Sequence, residues 1–353
     1  MTLVDGLRAV AALAVVLPHA WVLFRDLADR PGTFSDVVYL VRVYGTLGVQ
    51  VFFVLSGFVI AYSLRTARVT PRFFGRFVVR RSIRLDPPYW VAIGICCGAL
   101  WIEEHIAHDG AALPGPRVVL AHLAYLQVFL GCREAINHTY WTLCIEVQLY
   151  VAFCAAIGLL QAVRVPYPPA LTVAAGAALA WPLAVWPSEV WPLSVPGLFV
   201  QHAYGFLAGA VAWWTVAGAI PRWAGVALAG GAAALAARHG DVPVWVVTAT
   251  ATLLAVGGLR GTLHRWLDVR PLQAVGRMSY GLYLLHNPVV NLALVAQRRA
   301  GLVSLPDDLF VLAVVYAISL AAAWALHVAV ERPCLRMARR LRAGGGGTPL
   351  IPG

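Results

Sequence analysis

The sequence predicts an all-α polytopic membrane protein, a bundle of about ten transmembrane helices with both termini cytoplasmic. Three observations carry that prediction. Of 353 residues, 60% are hydrophobic and only 12% charged, about half the charged share of a soluble domain. The mean hydropathy is +0.75. Apolar runs of roughly 20 residues, the length of a bilayer-crossing helix, recur along the chain. The short alternating segments of a β-barrel do not occur.

Eleven runs present themselves: Leu3 to Phe24, Thr46 to Leu64, Pro88 to Ile106, Val118 to Leu130, Tyr140 to Val163, Ala170 to Trp186, Pro196 to Ile220, Ala224 to Ala237, Val244 to Leu259, Val275 to Ala296 and Leu309 to Val330. The first reads as a resident helix rather than a cleavable signal, because no basic segment precedes it and Arg8 and His19 interrupt it. Charge decides which runs cross. Arginines concentrate in the segment Arg65 to Arg84, around Arg260 to Arg270, and from Arg332 to Arg342. All three segments lie inside only if one intervening run fails to cross. Val118 to Leu130 is short and carries His122 and Gln127, so it is predicted to be an interfacial or re-entrant helix. Residues 1–342 then form one transmembrane domain, and 343–353 a flexible glycine-rich tail.

The net charge of +11 sets 27 basic residues against 16 acidic ones, and every basic residue counted is arginine, since the sequence contains no lysine. Basic loops orient a membrane protein, so the charge does not point to nucleic acid. Without lysine there is no Schiff-base chemistry. The six cysteines show no CxxC or Cys/His spacing, so neither a metal site nor a disulfide framework is expected.

Three constellations hold residues that are costly in a bilayer and so point to function. Arg8 and His19 lie eleven residues apart, close to three helical turns, and so share a face of the first helix. Histidine is the side chain suited to take and return a proton near neutral pH. Arg81 and Arg84, three apart, fit a single polyanion held by two guanidinium forks. Glu146 enters its span from the opposite side, about 9 Å beyond Tyr140 along the helix, and is expected to pair with His19 or Arg8. Weaker signals are the glycine and aromatic stretch from Gly45 to Gly57, the Gln201, His202 and Tyr204 cluster, and Ser279 to Pro288 with its second membrane histidine, His286.

These motifs resemble the membrane acyltransferase-3 family of bacterial O-acyltransferases. Asp5-Gly6-Leu7-Arg8 with His19 is similar to its first-helix signature. Gly48 to Phe58 resembles its second-helix signature, and Arg81-Ser82-Ile83-Arg84 followed by Pro87, Tyr89 and Trp90 its RxxR segment. Trp141-Thr142-Leu143 with Glu146, Gln148 and Tyr150 resembles its Trp-Ser-Leu-Ser-x-Glu-x-Gln-Phe-Tyr block, with Thr142, Cys144, Val147 and Leu149 departing from the commoner residues. Ser279 to Pro288 and Glu331-Arg332-Pro333 complete the match in family order.

The resemblance implies a multi-pass protein of the bacterial inner membrane that transfers an acyl group, acetyl or another short chain, from cytosolic acyl-CoA to a hydroxyl of a carbohydrate, glycolipid or glycosylated metabolite. It implies His19 as the catalytic histidine, a general base or a transiently acylated nucleophile, with Arg8 and Glu146 tuning it. Arg81 and Arg84 are expected to hold the CoA phosphates, and Ser56, Trp141, Tyr150, Tyr283 and His286 to line the substrate site. Acyl-CoA serves as donor substrate, and no permanently bound cofactor or metal is implied. The alternative from another class is a transporter or flippase that uses His19, Glu146 and Arg8 as a proton relay.

Overall fold

The computed structural model describes residues 1–24, 44–107, 112–185 and 197–343. Among them every regular element is helical and no strand occurs. In chain order they are α1 (Thr2–Ala20), α2 (Gly48–Leu64), α3 (Pro71–Ile102), α4 (Pro116–Leu123), α5 (Trp141–Ala162), α6 (Tyr167–Val185), α7 (Ala203–Val216), α8 (Arg222–His239), α9 (Val242–Leu259), α10 (Arg270–Arg277), α11 (Ser279–Arg299), α12 (Leu305–Leu326) and α13 (Arg332–Ala343). Among the described residues five stretches are long and apolar enough to cross a membrane: Thr2–Phe24, Pro71–Ile106, Trp141–Ala162, Val242–Leu259 and Leu305–Arg340. The protein is therefore an all-α membrane protein. The predicted tail beyond Ala343 lies outside the described residues.

Three boundaries differ from the apolar runs. Most of the arginine-rich segment before Pro88, from Arg72 to Arg84, lies in the first half of α3, a 32-residue helix, whereas Arg65 and Arg68 precede it. Thr70 caps it by accepting from the Phe73 amide at 3.2 Å, and Pro71 occupies its first turn. Pro87 and Pro88 sit inside the helix, where two amide donors are missing. Next to the carbonyls those prolines leave unserved, the Tyr280 hydroxyl donates to the Leu85 carbonyl at 3.0 Å. The run Val118 to Leu130 is not one helix: α4 ends at Leu123 and turns follow, with Tyr125 at φ 57°. The run predicted from Val275 is split at Met278, which separates α10 from α11.

Helix packing rests on small residues at crossings. The tightest pair is α2 and α7. A Cβ built on Gly57 would lie 1.8 Å from the Phe206 carbonyl oxygen, and one on Gly209 would lie 1.9 Å from that of Val54. Only glycine at both positions lets the two backbones approach this closely, as expected where apolar burial gives helices little reason to associate in lipid. The glycine and aromatic stretch ending at Gly57 thus serves packing. A second close approach seats Gly276 of α10 on the Asp5 carbonyl of α1, where a Cβ would be 2.0 Å away. It docks α10 beside the start of α1, which matters for the site below.

Candidate functional site

A cavity of 1630 Å³ runs between α1, α2, α3, α5, α10, α11 and α13. It exceeds the roughly 300–1,000 Å³ usual for small-molecule pockets. Ten arginines line it against four carboxylates, Asp5, Glu146, Asp268 and Glu331. Arg8, Arg80, Arg81 and Arg84 are half-buried, whereas Arg68, Arg76, Arg270, Arg277, Arg332 and Arg339 are exposed. The cavity therefore has a deep basic wall, built mainly by α3, and a basic mouth.

At the deep end Glu146 accepts a hydrogen bond from Ser56 Oγ at 2.9 Å and another from the Tyr150 hydroxyl. Helix α5 places Glu146 and Tyr150 one turn apart, and α2 brings Ser56 to them. The Arg81 guanidinium lies 4.5 Å above the Tyr150 ring centre, a cation–π contact. Arg84 stands within electrostatic reach of Arg81, Arg8, Tyr150 and Glu146. Asp86, on the same helix, makes no ion pair with this wall: its carboxylate accepts from Ser82 and, at 3.0 Å, from the Tyr125 hydroxyl. Residues predicted to serve donor binding and residues predicted to serve catalysis thus meet in one place.

His19 is not among them. It lies beyond the cavity, in a group of three histidines. Its Nδ1 is 2.8 Å from the Val15 carbonyl oxygen and 3.4 Å from His286 Nε2. A carbonyl only accepts, so Nδ1 carries the proton, and in the neutral ring Nε2 keeps its lone pair. His286 is wholly buried, with its Nδ1 3.0 Å from the Leu282 carbonyl oxygen, so by the same reasoning its Nε2 accepts from His19. The ring of His138 lies 6.1 Å from that of His19, and His138 is exposed and paired with Glu134 at 3.1 Å. The expected pairing of Glu146 with His19 or Arg8 does not form: Glu146 is satisfied by Ser56 and Tyr150, and His19 by Val15 and His286.

Between the cavity and His19 stands Tyr283. Its hydroxyl is 2.5 Å from Thr142 Oγ1 and donates to the Thr139 carbonyl at 2.8 Å. Its ring centre lies 6.0 Å from that of Phe52 and 6.0 Å from that of His286. Thr142, Phe52 and Tyr283 all line the cavity. Of the other predicted substrate residues, Ser56 and Tyr150 line it too, while Trp141 does not. Trp141 is covered by the Arg133 guanidinium at 4.5 Å and lies near the His202 ring, 5.2 Å away. The sequence does not single out His138 or the arginines of α10 and α13 as site residues. For α13 a signal exists, since Arg332, Leu335 and Arg339 recur at helical spacing. Among the described residues no cluster suited to a metal ion occurs.

A family model described as an acyltransferase domain matches residues 2–328. The exopolysaccharide production protein ExoZ of Rhizobium meliloti (strain 1021) is 28% identical over 323 residues, covering 86% of this chain and 94% of that protein. Nodulation protein 10 of Rhizobium leguminosarum bv. viciae is 26% identical over an alignment of 378 positions, covering 96% of this chain and 94% of that protein. No solved structure matches.

Proposed function

Because the chain belongs to the acyltransferase-3 family and is therefore an acyltransferase, we propose that it transfers an acyl group from cytosolic acyl-CoA to a hydroxyl of a cell-surface or secreted carbohydrate. Family membership sets aside the transporter reading. The carbohydrate acceptor is supported by the exopolysaccharide production protein among its relatives. The donor is supported by the excess of arginines in the cavity. Guanidinium forks bind phosphate oxygens bidentately, and a CoA molecule offers several. By the positive-inside rule the basic mouth faces the cytosol of a bacterial inner membrane, in a bundle of about ten spans.

The single observation that carries the mechanism is the Val15 carbonyl at His19 Nδ1. It commits Nδ1–H as a donor and leaves Nε2 as the base, the way an orienting partner fixes a catalytic imidazole. In the proposed reaction the diphosphate rests on Arg81 and Arg84, and the pantetheine arm passes the Thr142–Tyr283 link to bring the thioester to His19. His19 Nε2 takes the proton of the acceptor hydroxyl as its oxygen attacks the thioester carbonyl. The new C–O bond forms, the C–S bond breaks, and the imidazolium returns its proton to the departing thiolate. Arg8, which has no hydrogen-bond partner among the described residues and stands within electrostatic reach of Arg84, adds positive charge to the wall that holds the diphosphate. Glu146 balances the arginine wall and keeps Tyr150 in place under Arg81. The test is release of CoA by membranes given acetyl-CoA and candidate sugars. His19→Ala is expected to abolish release while inserting normally, and retained turnover removes His19 from the mechanism.

A further inference from the structure

The mouth of the cavity holds more positive charge than the Arg81 and Arg84 pair accounts for. Arg277 closes α10, and Arg332 and Arg339 lie seven residues apart on α13, two turns along one face. All three line the cavity, whereas Arg336 and Arg340 of the same helix do not. None of the three has a carboxylate partner among the described residues. Of the four carboxylates lining the cavity, Glu331 is bonded to His327 at 2.7 Å, Glu146 to Ser56 and Tyr150, Asp5 lies 3.7 Å from the terminal amine, and Asp268 makes no ion pair with any of the three arginines. The Gly276–Asp5 contact fixes α10 to α1, so Arg277 is held at this mouth. The positive-inside rule requires arginines on this side of the membrane but not their convergence from two helices on one cavity.

Resting on the acyl-CoA reading above, we propose that Arg277, Arg332 and Arg339 form a second anion site, which takes the 3′-phosphate of the donor's adenosine. Depth distinguishes the two groups of arginines. Arg81 and Arg84 are half-buried and adjoin Glu146, toward the chemistry, whereas these three are exposed. In CoA the diphosphate joins directly to the pantetheine arm, and the 3′-phosphate sits on the ribose beyond it. A donor threaded thioester first therefore leaves its diphosphate at the deep wall and its 3′-phosphate at the mouth. Two separated basic sites match two separated phosphate groups.

The experiment measures binding of CoA and of 3′-dephospho-CoA to the full chain in phosphatidylcholine nanodiscs by calorimetry. The unsubstituted protein is expected to bind CoA about tenfold or more tightly than the dephospho form, the scale of one charge-assisted contact set. The double variant Arg332→Gln with Arg339→Gln is expected to lose that discrimination: affinity for CoA falls by about the same factor, and affinity for 3′-dephospho-CoA stays. Arg277→Gln, on a different helix, is expected to act in the same direction, and Arg336→Gln to leave both affinities alone. Equal loss on both probes, or no discrimination by the unsubstituted protein, overturns the second site. A repeat in phosphatidylglycerol nanodiscs tests the other phosphate source: if the variants change only lipid-dependent behaviour and not CoA discrimination, the arginines bind headgroups and the proposal fails. If the unsubstituted protein binds neither probe, it is the acyl-CoA donor that fails, a result distinct from equal loss.

Discussion

Replacing His19 by asparagine separates the two roles of its imidazole. An asparagine amide can donate to the Val15 carbonyl as Nδ1–H now does at 2.8 Å, but it offers no basic atom where Nε2 stands. His19→Asn therefore keeps the local hydrogen bond and removes the base. Loss of a positioned general base costs a factor of about 10² to 10⁴ in turnover, or about 2.7–5.4 kcal/mol of barrier. His286 supplies the contrast. It accepts from the same Nδ1–H at 3.4 Å, a longer bond than the one to Val15. Removing it in His286→Leu leaves the tautomer held by Val15 and should cost only about 0.5–1.5 kcal/mol, roughly two- to thirteenfold. His286→Gln, with a carbonyl that can accept, should recover part of that loss. The assay is the rate of CoA release from acetyl-CoA with a productive sugar acceptor, with CoA binding followed separately by calorimetry and expected to be unchanged in all three variants. If His19→Asn keeps a tenth or more of the activity, or His286→Leu falls as far as His19→Asn, His19 Nε2 is not the base.

Three further outcomes are expected. Arg81→Ala combined with Arg84→Ala should weaken CoA binding by about tenfold or more, the worth of one charge-assisted contact set; calorimetry that finds unchanged affinity rules out the deep phosphate grip. Tyr150→Phe keeps the ring face beneath Arg81 but removes a donor to Glu146, so turnover should fall while CoA affinity changes by less than about threefold. Gly209→Ala puts a methyl group 1.9 Å from the Val54 carbonyl oxygen, where ordinary contact begins near 3.4 Å, so α2 and α7 must separate. The cost should be about 1–3 kcal/mol or more, read as a lower unfolding temperature in detergent, with Gly230→Ala, which meets nothing within 4 Å, as the unchanged control.

Composition and run length are enough to establish an all-helical membrane protein, because in lipid every backbone amide must be satisfied within its own segment or a closed barrel. The costly residues Arg8, His19, Arg81, Arg84 and Glu146 also stand out unaided, since ionisable groups are rare in apolar runs. Which of them touch is another matter. Linear depth along two helices points to Glu146 and His19 as partners, but depth carries no information about rotation or about competing partners. Ser56, from a third helix, and Tyr150, one turn along, satisfy Glu146 instead. Helix boundaries follow the same rule. Hydropathy starts the apolar run at Pro88, whereas the helix extends back to the Thr70 cap, because a helix follows its hydrogen bonds and not its polarity. The sequence alone thus determines the kind of protein and the residues worth naming. Only tertiary packing decides the tautomer of His19, the separation of His19 from the arginine cavity by Tyr283 and Thr142, and the meeting of α3, α10 and α13 around one basic mouth, since each depends on groups that folding brings together.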